Sequence, residues 1–242
     1  MSQMPERDEL EQDLETVMLP LFPLRLVLFP GQVLPLHIFE PRYRLMINHC
    51  VDEGQPFGVV LMHEDSPDWR RYNGEVTLPH DVGTTAHIRQ VERLPNGRLN
   101  IITVGLHRFR VRQLHFDMPY LQGEVEIFPL ARSSGPSMTE DADAVRRLVI
   151  GYVGLLSKVM DAEIDIDELP EDPRTLAYLA ASALQISWDE KQALLATPEL
   201  PALLAAERLL LRKERMMLSF MQSTEDRIAD KVMGPMGYVY PN

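Results

Sequence analysis

The sequence predicts an α+β fold in which strands fill the first half of the chain and helices the second. Four prolines between residues 20 and 35 exclude a long helix there, because each removes a backbone donor and biases the preceding residue toward extended geometry. Asn96-Gly97 lies between two β-rich runs and is a hairpin signal. Beyond residue 136 the apolar residues recur at helical spacing. We therefore predict a strand domain over residues 17–131 and a helical domain over residues 137–233.

Residues 19–46 predict a strand, a turn, a second strand and the start of a helix. Pro30-Gly31 marks the turn between the apolar runs 26–29 and 33–39, since proline pre-sets one turn angle and glycine accepts positive φ. After residue 39 the apolar spacing becomes helical, with Pro41 near the first turn. This pattern predicts a helix over residues 42–52.

Four more stretches of the first half predict strands. They cover residues 57–62, 82–94, 98–104 and 120–128, and between the last two the segment 105–111 leads into a further strand through residue 115. A polar loop, residues 63–74, follows the first of them, and Pro95-Asn96-Gly97 joins the second to the third as a hairpin turn.

Local capping patterns mark the helix starts of the second half. The pairs are Ser137 with Glu140, Asp172 with Pro173, and Ser187 with Glu190. The last helix is predicted from about residue 198 to residue 233, where Gly234-Pro235 ends it. Residues 132–136 form the predicted boundary between the domains, residues 1–16 form an acidic lead, and residues 234–242 form a tail.

Composition and charge limit the possible functions. The net charge is −12, and residues 17–131 are nearly neutral, with eleven basic and twelve acidic side chains. A nucleic-acid binder usually carries a basic face, so the overall charge argues against that class. The single Cys50 excludes an internal disulfide framework. The acidic start lacks the basic and apolar regions of a secretory signal, and prolines and Arg25 interrupt the apolar run 17–39, so we expect a cytoplasmic chain without a membrane span.

Ordered proline and glycine positions, separated by apolar strand residues, form the most recognisable motifs of the chain. They are Phe22-Pro23-Leu24-Arg25, Leu28-Phe29-Pro30-Gly31, Leu34-Pro35-Leu36, Phe39-Glu40-Pro41-Arg42-Tyr43, Val82-Gly83-Thr84 and, in the second half, the run 187–195. Together these motifs resemble the amino-terminal, substrate-binding domain of the Lon proteases, the peptidase S16 family. The resemblance covers nearly the whole chain except its ends. It implies a PUA-like β-barrel followed by an α-helical bundle with a long C-terminal helix, and a role in substrate recognition.

The catalytic signatures of a Lon protease are absent from this sequence. The ATPase needs a glycine-rich loop that ends in Gly-Lys-Ser/Thr, and none of the four lysines follows a glycine. Ser157 and Lys158 are adjacent, but neighbours in a helix point about 100° apart and do not form the peptidase dyad. We therefore expect a non-catalytic chain that needs no cofactor.

A metal site also lacks support from the sequence. The seven histidines never occur in a His-x-x-x-His pair or beside a cysteine pair. The acidic loop 161–172 lacks the glycine and ligand alternation of an EF-hand, which favours a solvated charged loop. Glu40, Arg42 and Arg44 flank the first helix, and a helix-start charge with a structural ion pair is favoured there over a site for a ligand carboxylate.

Three groups of residues are candidates for binding a partner. They are Trp69, Arg70 and Tyr72 in the polar loop, Arg108, Arg110 and Arg112 on one side of a strand, and Met217, Phe220 and Met221 on the last helix. Aromatic and arginine side chains dominate interface energetics, and methionine adapts to irregular partners. The alternatives are that the loop aromatics plug the barrel and that the methionine cluster belongs to a helix-bundle core, which the sequence favours for that cluster.

The leading hypothesis is a protein- or peptide-binding module that recognises unfolded or apolar segments, or one dedicated partner, as an adaptor or holdase. RNA binding is the alternative, because PUA-like barrels also occur in RNA-binding proteins and the arginine strand offers a small basic patch. A third hypothesis is a small-molecule pocket between barrel and helices. The sequence leaves the client and the oligomeric state open.

Overall fold

The computed structural model of the protein describes residues 16–62, 78–131, 136–160 and 169–233. These residues form two compact units. The first comprises the chain up to Leu130 together with Ser187–Pro198, and the second comprises Ala131–Ile186 together with the chain from Glu199 onward. The predicted tail and all but the last residue of the predicted acidic lead lie outside the described residues.

The first unit contains a closed barrel. Its elements are β1 (Val17–Leu24), β2 (Val33–Ile38), α1 (Pro41–Glu53), β3 (Phe57–Leu61), β4 (Val82–Arg93), β5 (Leu99–His115) and β6 (Leu121–Ile127). The strand order is β2-β5-β4-β3-β1-β6, and β5 also pairs with β6, so five strands close into a ring with β2 at its edge. Only the β1–β3 pair is parallel among these strands. The second unit is helical, and the α+β class predicted from the sequence is confirmed.

Two glycines make room for the central aromatic ring of the barrel. Phe109 is fully buried in β5. A Cβ atom added at Gly58 or at Gly83 would lie 2.6 Å from the ring carbon Cζ of Phe109. Both strands therefore approach the ring only because these positions lack a side chain.

The proline-rich opening folds largely as predicted. Pro41 begins α1, Gly31 has a φ of 84° in the turn, and its N–H donates to the Gly105 carbonyl at 2.8 Å. The run 26–29, predicted as a strand, is instead irregular. The chain turns there to leave β1, which ends at Leu24, and to bring β2 alongside β5. Arg42 pairs with Glu40 at 2.8 Å, the predicted structural ion pair.

Helix α4 (Trp188–Ala196) packs against the barrel. The predicted capping box is present, with the Ser187 hydroxyl accepting from the Glu190 N–H. Arg108 of β5 donates to the carbonyls of Leu195 and Thr197, each at 2.6 Å. Gln192 donates to the Val82 carbonyl at 2.9 Å. This arrangement differs from the predicted division, which placed the whole range 137–233 in one helical domain.

The second unit consists of α2 (Pro136–Val159), α3 (Pro173–Ala183) and α5 (Leu200–Met233). Asp172 caps α3, as predicted, by accepting from the Thr175 N–H at 3.0 Å. Asp141 of α2 pairs with Arg208 of α5. The core contains apolar residues of all three helices: Ala142, Val145, Val149, Tyr152, Leu176, Ala177, Ala180, Leu203, Leu204 and Leu211. This core fixes which side of α5 faces inward.

Candidate interaction surfaces

The outward side of α5 carries a row of large apolar side chains, which we call the α5 stripe. Its members are Leu209, Met216, Met217, Phe220 and Met221, with 68, 72, 52, 72 and 44% of their surfaces exposed. The spacings of three, four and seven residues keep them on one side of the helix. A row of this kind on one helix is unusual for a protein surface and is typical of an interaction site.

The α5 stripe contains all three residues predicted as candidates on the last helix, Met217, Phe220 and Met221. The sequence favours a place in the helix-bundle core for this cluster, and that prediction is wrong, because all three side chains are exposed. The reason is angular: at about 100° per residue, Phe220 lies about 180° around the helix from the fully buried Leu211. The inward side of α5 thus faces α2 and α3, and the stripe faces solvent.

The three candidate arginines of β5 lie on one face of the strand. The guanidinium groups of Arg108 and Arg110 stack on the same ring of Phe128, 4.6 and 4.2 Å from its centroid. Arg112 pairs with Glu126, the register partner of Arg110 on β6. The structure therefore brings the group together, as strand alternation predicts.

This face is not an arginine patch open to solvent. Arg108 is only 2% exposed because α4 covers it and accepts its hydrogen bonds. Arg112 is neutralised by Glu126, and Arg110 has Asp81 at 3.6 Å. A phosphate-binding surface needs exposed cations, so the charge pattern of this face does not favour RNA.

A small groove lies at the end of the barrel beside Arg112. We call it the barrel groove, and its apolar walls are Leu78, Val111, Leu114 and Phe116. Its volume is about 290 Å³, at the lower end of the range of ligand pockets. A groove of this size accommodates a single large side chain more readily than a whole cofactor.

The third candidate group, Trp69, Arg70 and Tyr72, lies outside the described residues. Its role as an interaction element remains a prediction from the sequence.

The described residues offer little for covalent or metal chemistry. Burial raises the pKa of the Cys50 thiol to about 12, and the nearby Glu53 adds to the effect, so this thiol is protonated at neutral pH. Within the described ranges, no three His, Cys, Asp or Glu side chains come together in a way that could hold a metal ion. None of the described helices is long and apolar enough to cross a bilayer.

Comparison with protein families identifies the chain. The family model of the ATP-dependent protease La (LON) substrate-binding domain matches residues 18–213. The chain belongs to this family. The match includes the barrel, α4 and the first part of α5, while most of the α5 stripe lies just beyond its end.

Similar proteins include several Lon proteases. Lon protease 2 of Syntrophobacter fumaroxidans is 30% identical over 87% of this chain, and Lon protease of Escherichia coli strain K12 is 26% identical over 79%. This chain spans 26% of the former protein and 23% of the latter.

Solved structures of Lon amino-terminal domains share the fold. A Lon N-terminal domain protein from Xanthomonas campestris has a TM-score of 0.56 at 24% identity, over 78% of this chain and 95% of that one. The N-terminal domain of Mycobacterium avium complex Lon protease has a TM-score of 0.61 at 20% identity, over 81% and 98%.

Sequence reasoning missed several members of these surfaces. The sequence pattern does not distinguish Leu209 from the leucines of α5 that lie in the core. It also gives no signal for the barrel groove, because the walls of the groove come from segments about thirty residues apart. The available signal for Leu209 was its phase on the helix, since it lies about 160° from Leu211.

Proposed function

We propose that this chain is a recognition module that binds apolar segments of unfolded polypeptides, without catalysis, as an adaptor or holdase. The observation that carries the proposal is the α5 stripe, in a chain whose family is described as a substrate-binding domain. Five neighbouring apolar side chains in contact with water favour burial against a partner, at about 25 cal/mol per Å² of apolar surface removed from water.

The composition of the α5 stripe suits varied partners better than one fixed partner. Three of its five members are methionines, whose unbranched, polarisable side chains adapt to irregular apolar surfaces. Phe220 adds a rigid aromatic side chain of the kind that dominates binding energy at interfaces. The flanking Arg212 and Lys213 are exposed and would keep the helix soluble in the absence of a client.

A binding titration with a permanently unfolded client tests the proposal. The probe is fluorescently labelled, reduced and carboxymethylated α-lactalbumin, and the disulfide-intact protein serves as the folded comparison. We expect the full chain to bind the unfolded form and not the folded one. The double substitution Met217→Gln and Phe220→Gln is expected to weaken binding at least tenfold, which is about 1.4 kcal/mol.

Ser219→Gln is the matched control, because Ser219 is exposed and lies between Met217 and Phe220 in the sequence of α5. This variant should bind like the wild type. Circular dichroism at 222 nm should show the same helix content in all three proteins. The proposal fails if the wild type does not bind the unfolded client, or if the double variant binds it as tightly as Ser219→Gln does.

A further inference from the structure

Glu207 is the one ionisable side chain that is fully buried in the described part of α5. Its side chain is fully enclosed, with 0% of its surface exposed, and it lies on the same side of the helix as Leu203, Leu204 and Leu211. Among the residues that the structure describes, neither carboxyl oxygen has a hydrogen-bond partner. An ionised carboxylate without donors is far less stable in such surroundings than in water.

Several charged and titratable side chains around this core are engaged with other groups. On α2, Asp141 pairs with Arg208, and Arg146 donates to the Leu169 and Pro170 carbonyls at 3.2 and 2.8 Å. The Tyr152 hydroxyl accepts from the Gln185 N–H at 3.0 Å. The other titratable side chains of these three helices that are not exposed are Arg174 and Tyr178 on α3 and Glu214 and Arg215 on α5. None of them donates a hydrogen bond to Glu207.

We propose that Glu207 is a proton-dependent release point for α5: the helix stays packed on α2 and α3 while the carboxyl carries a proton, and ionisation favours the detached state. In the detached state water solvates the carboxylate, and the buried leucines of α5 become accessible. The proposal concerns the folding equilibrium of the helical unit and does not depend on the proposed function.

The direction of the pH effect follows from proton binding. Burial raises the pKa of Glu207 well above its ordinary value of 4.5. The folded state therefore holds a proton that the detached state releases, over the range between the ordinary and the raised pKa. Packing of α5 is strongest below the ordinary carboxyl pKa and weakens as the pH rises toward the raised pKa. Since one proton is involved, the opening equilibrium shifts by at most tenfold per pH unit.

Native-state hydrogen exchange of the full chain, read by mass spectrometry, tests the proposal. The measured quantity is the protection factor of α5 peptides that contain residues 203–211, at pH 5, 6, 7 and 8, after correction for intrinsic exchange rates. In the wild type, protection is expected to fall with rising pH by up to tenfold per unit. In Glu207→Gln, which has no ionisable group at this position, the corrected protection should stay constant over the same pH range.

Glu199→Gln is the control, because Glu199 is exposed at the residue before α5. It should keep the pH dependence of the wild type. Glu207→Met provides a second variant without an ionisable group, should glutamine disturb the core. The proposal is overturned if the wild type and the Glu207 variants have parallel pH profiles. It is also overturned if protection in the wild type rises with pH, which would mean that Glu207 is ionised and paired in the folded state.

Discussion

Replacing Arg108 with methionine should loosen α4 from the barrel. The guanidinium of Arg108 donates to the Leu195 and Thr197 carbonyls at 2.6 Å each and stacks on the ring of Phe128. A hydrogen bond to a charged group contributes about 1.5–3 kcal/mol. Methionine keeps most of the buried volume and removes both bonds, so the expected loss is about 3 kcal/mol, the lower end for two such bonds. We choose the lower end because the helix-terminal carbonyls can regain water if α4 shifts.

The assay is urea unfolding followed by the fluorescence of Trp188, which lies at the start of α4. A Trp69→Phe background makes Trp188 the single tryptophan, since the chain contains two. Arg89→Met is the control, because Arg89 is exposed on the neighbouring strand β4. Its removal should change the free energy of unfolding by no more than about 0.5 kcal/mol.

A midpoint for Arg108→Met within error of the Arg89→Met midpoint would refute this reasoning. The same pair of variants separates a structural role from RNA binding. If Arg108 served RNA, its loss would weaken RNA binding without lowering stability, and the affinity would depend steeply on salt. Because Arg108 is covered by α4, we expect the stability effect and no change in RNA affinity.

Two further predictions concern packing and reactivity. Gly83→Ala should destabilise the barrel by about 1–3 kcal/mol in urea titrations, because the added Cβ would meet the Phe109 ring and the Val59 carbonyl. Gly154→Ala lies in open space on α2 and should stabilise its helix by about 0.5–1 kcal/mol, so equal effects at the two sites would contradict the packing argument. Cys50, with its pKa raised to about 12 by burial, should react with a disulfide reagent at pH 8 only in denaturant, and a fast reaction in the native protein would show that the thiol is accessible.

Much of the local structure could be predicted because its causes are local. Pro41, Asp172 and the Ser187–Glu190 capping box act within one helical turn, so their patterns in the sequence predict the observed helix starts. The Asn96-Gly97 turn likewise depends on neighbouring residues alone, and Gly97 has a φ of 74°. The strands could be predicted from the prolines, which exclude a long helix, and from the alternation of apolar and polar residues.

The interaction surfaces were harder to predict because exposure depends on which elements meet. The apolar residues of α5 cover more than one side of the helix, and periodicity does not say which side packs. Arg108 and Arg112 have the same residue type and the same strand phase. Only the placement of α4 over one of them makes Arg108 a buried link and leaves Arg112 at the surface.

The sequence alone therefore determined the family, the order of strands and helices, and most helix boundaries, since prolines, caps and period change act over a few residues. The tertiary structure decided three things. It joined α4 to the barrel, turned the α5 stripe outward and enclosed Glu207. Each depends on contacts between residues far apart in the chain, whose free energies are set by burial and by hydrogen-bond partners that local sequence does not specify.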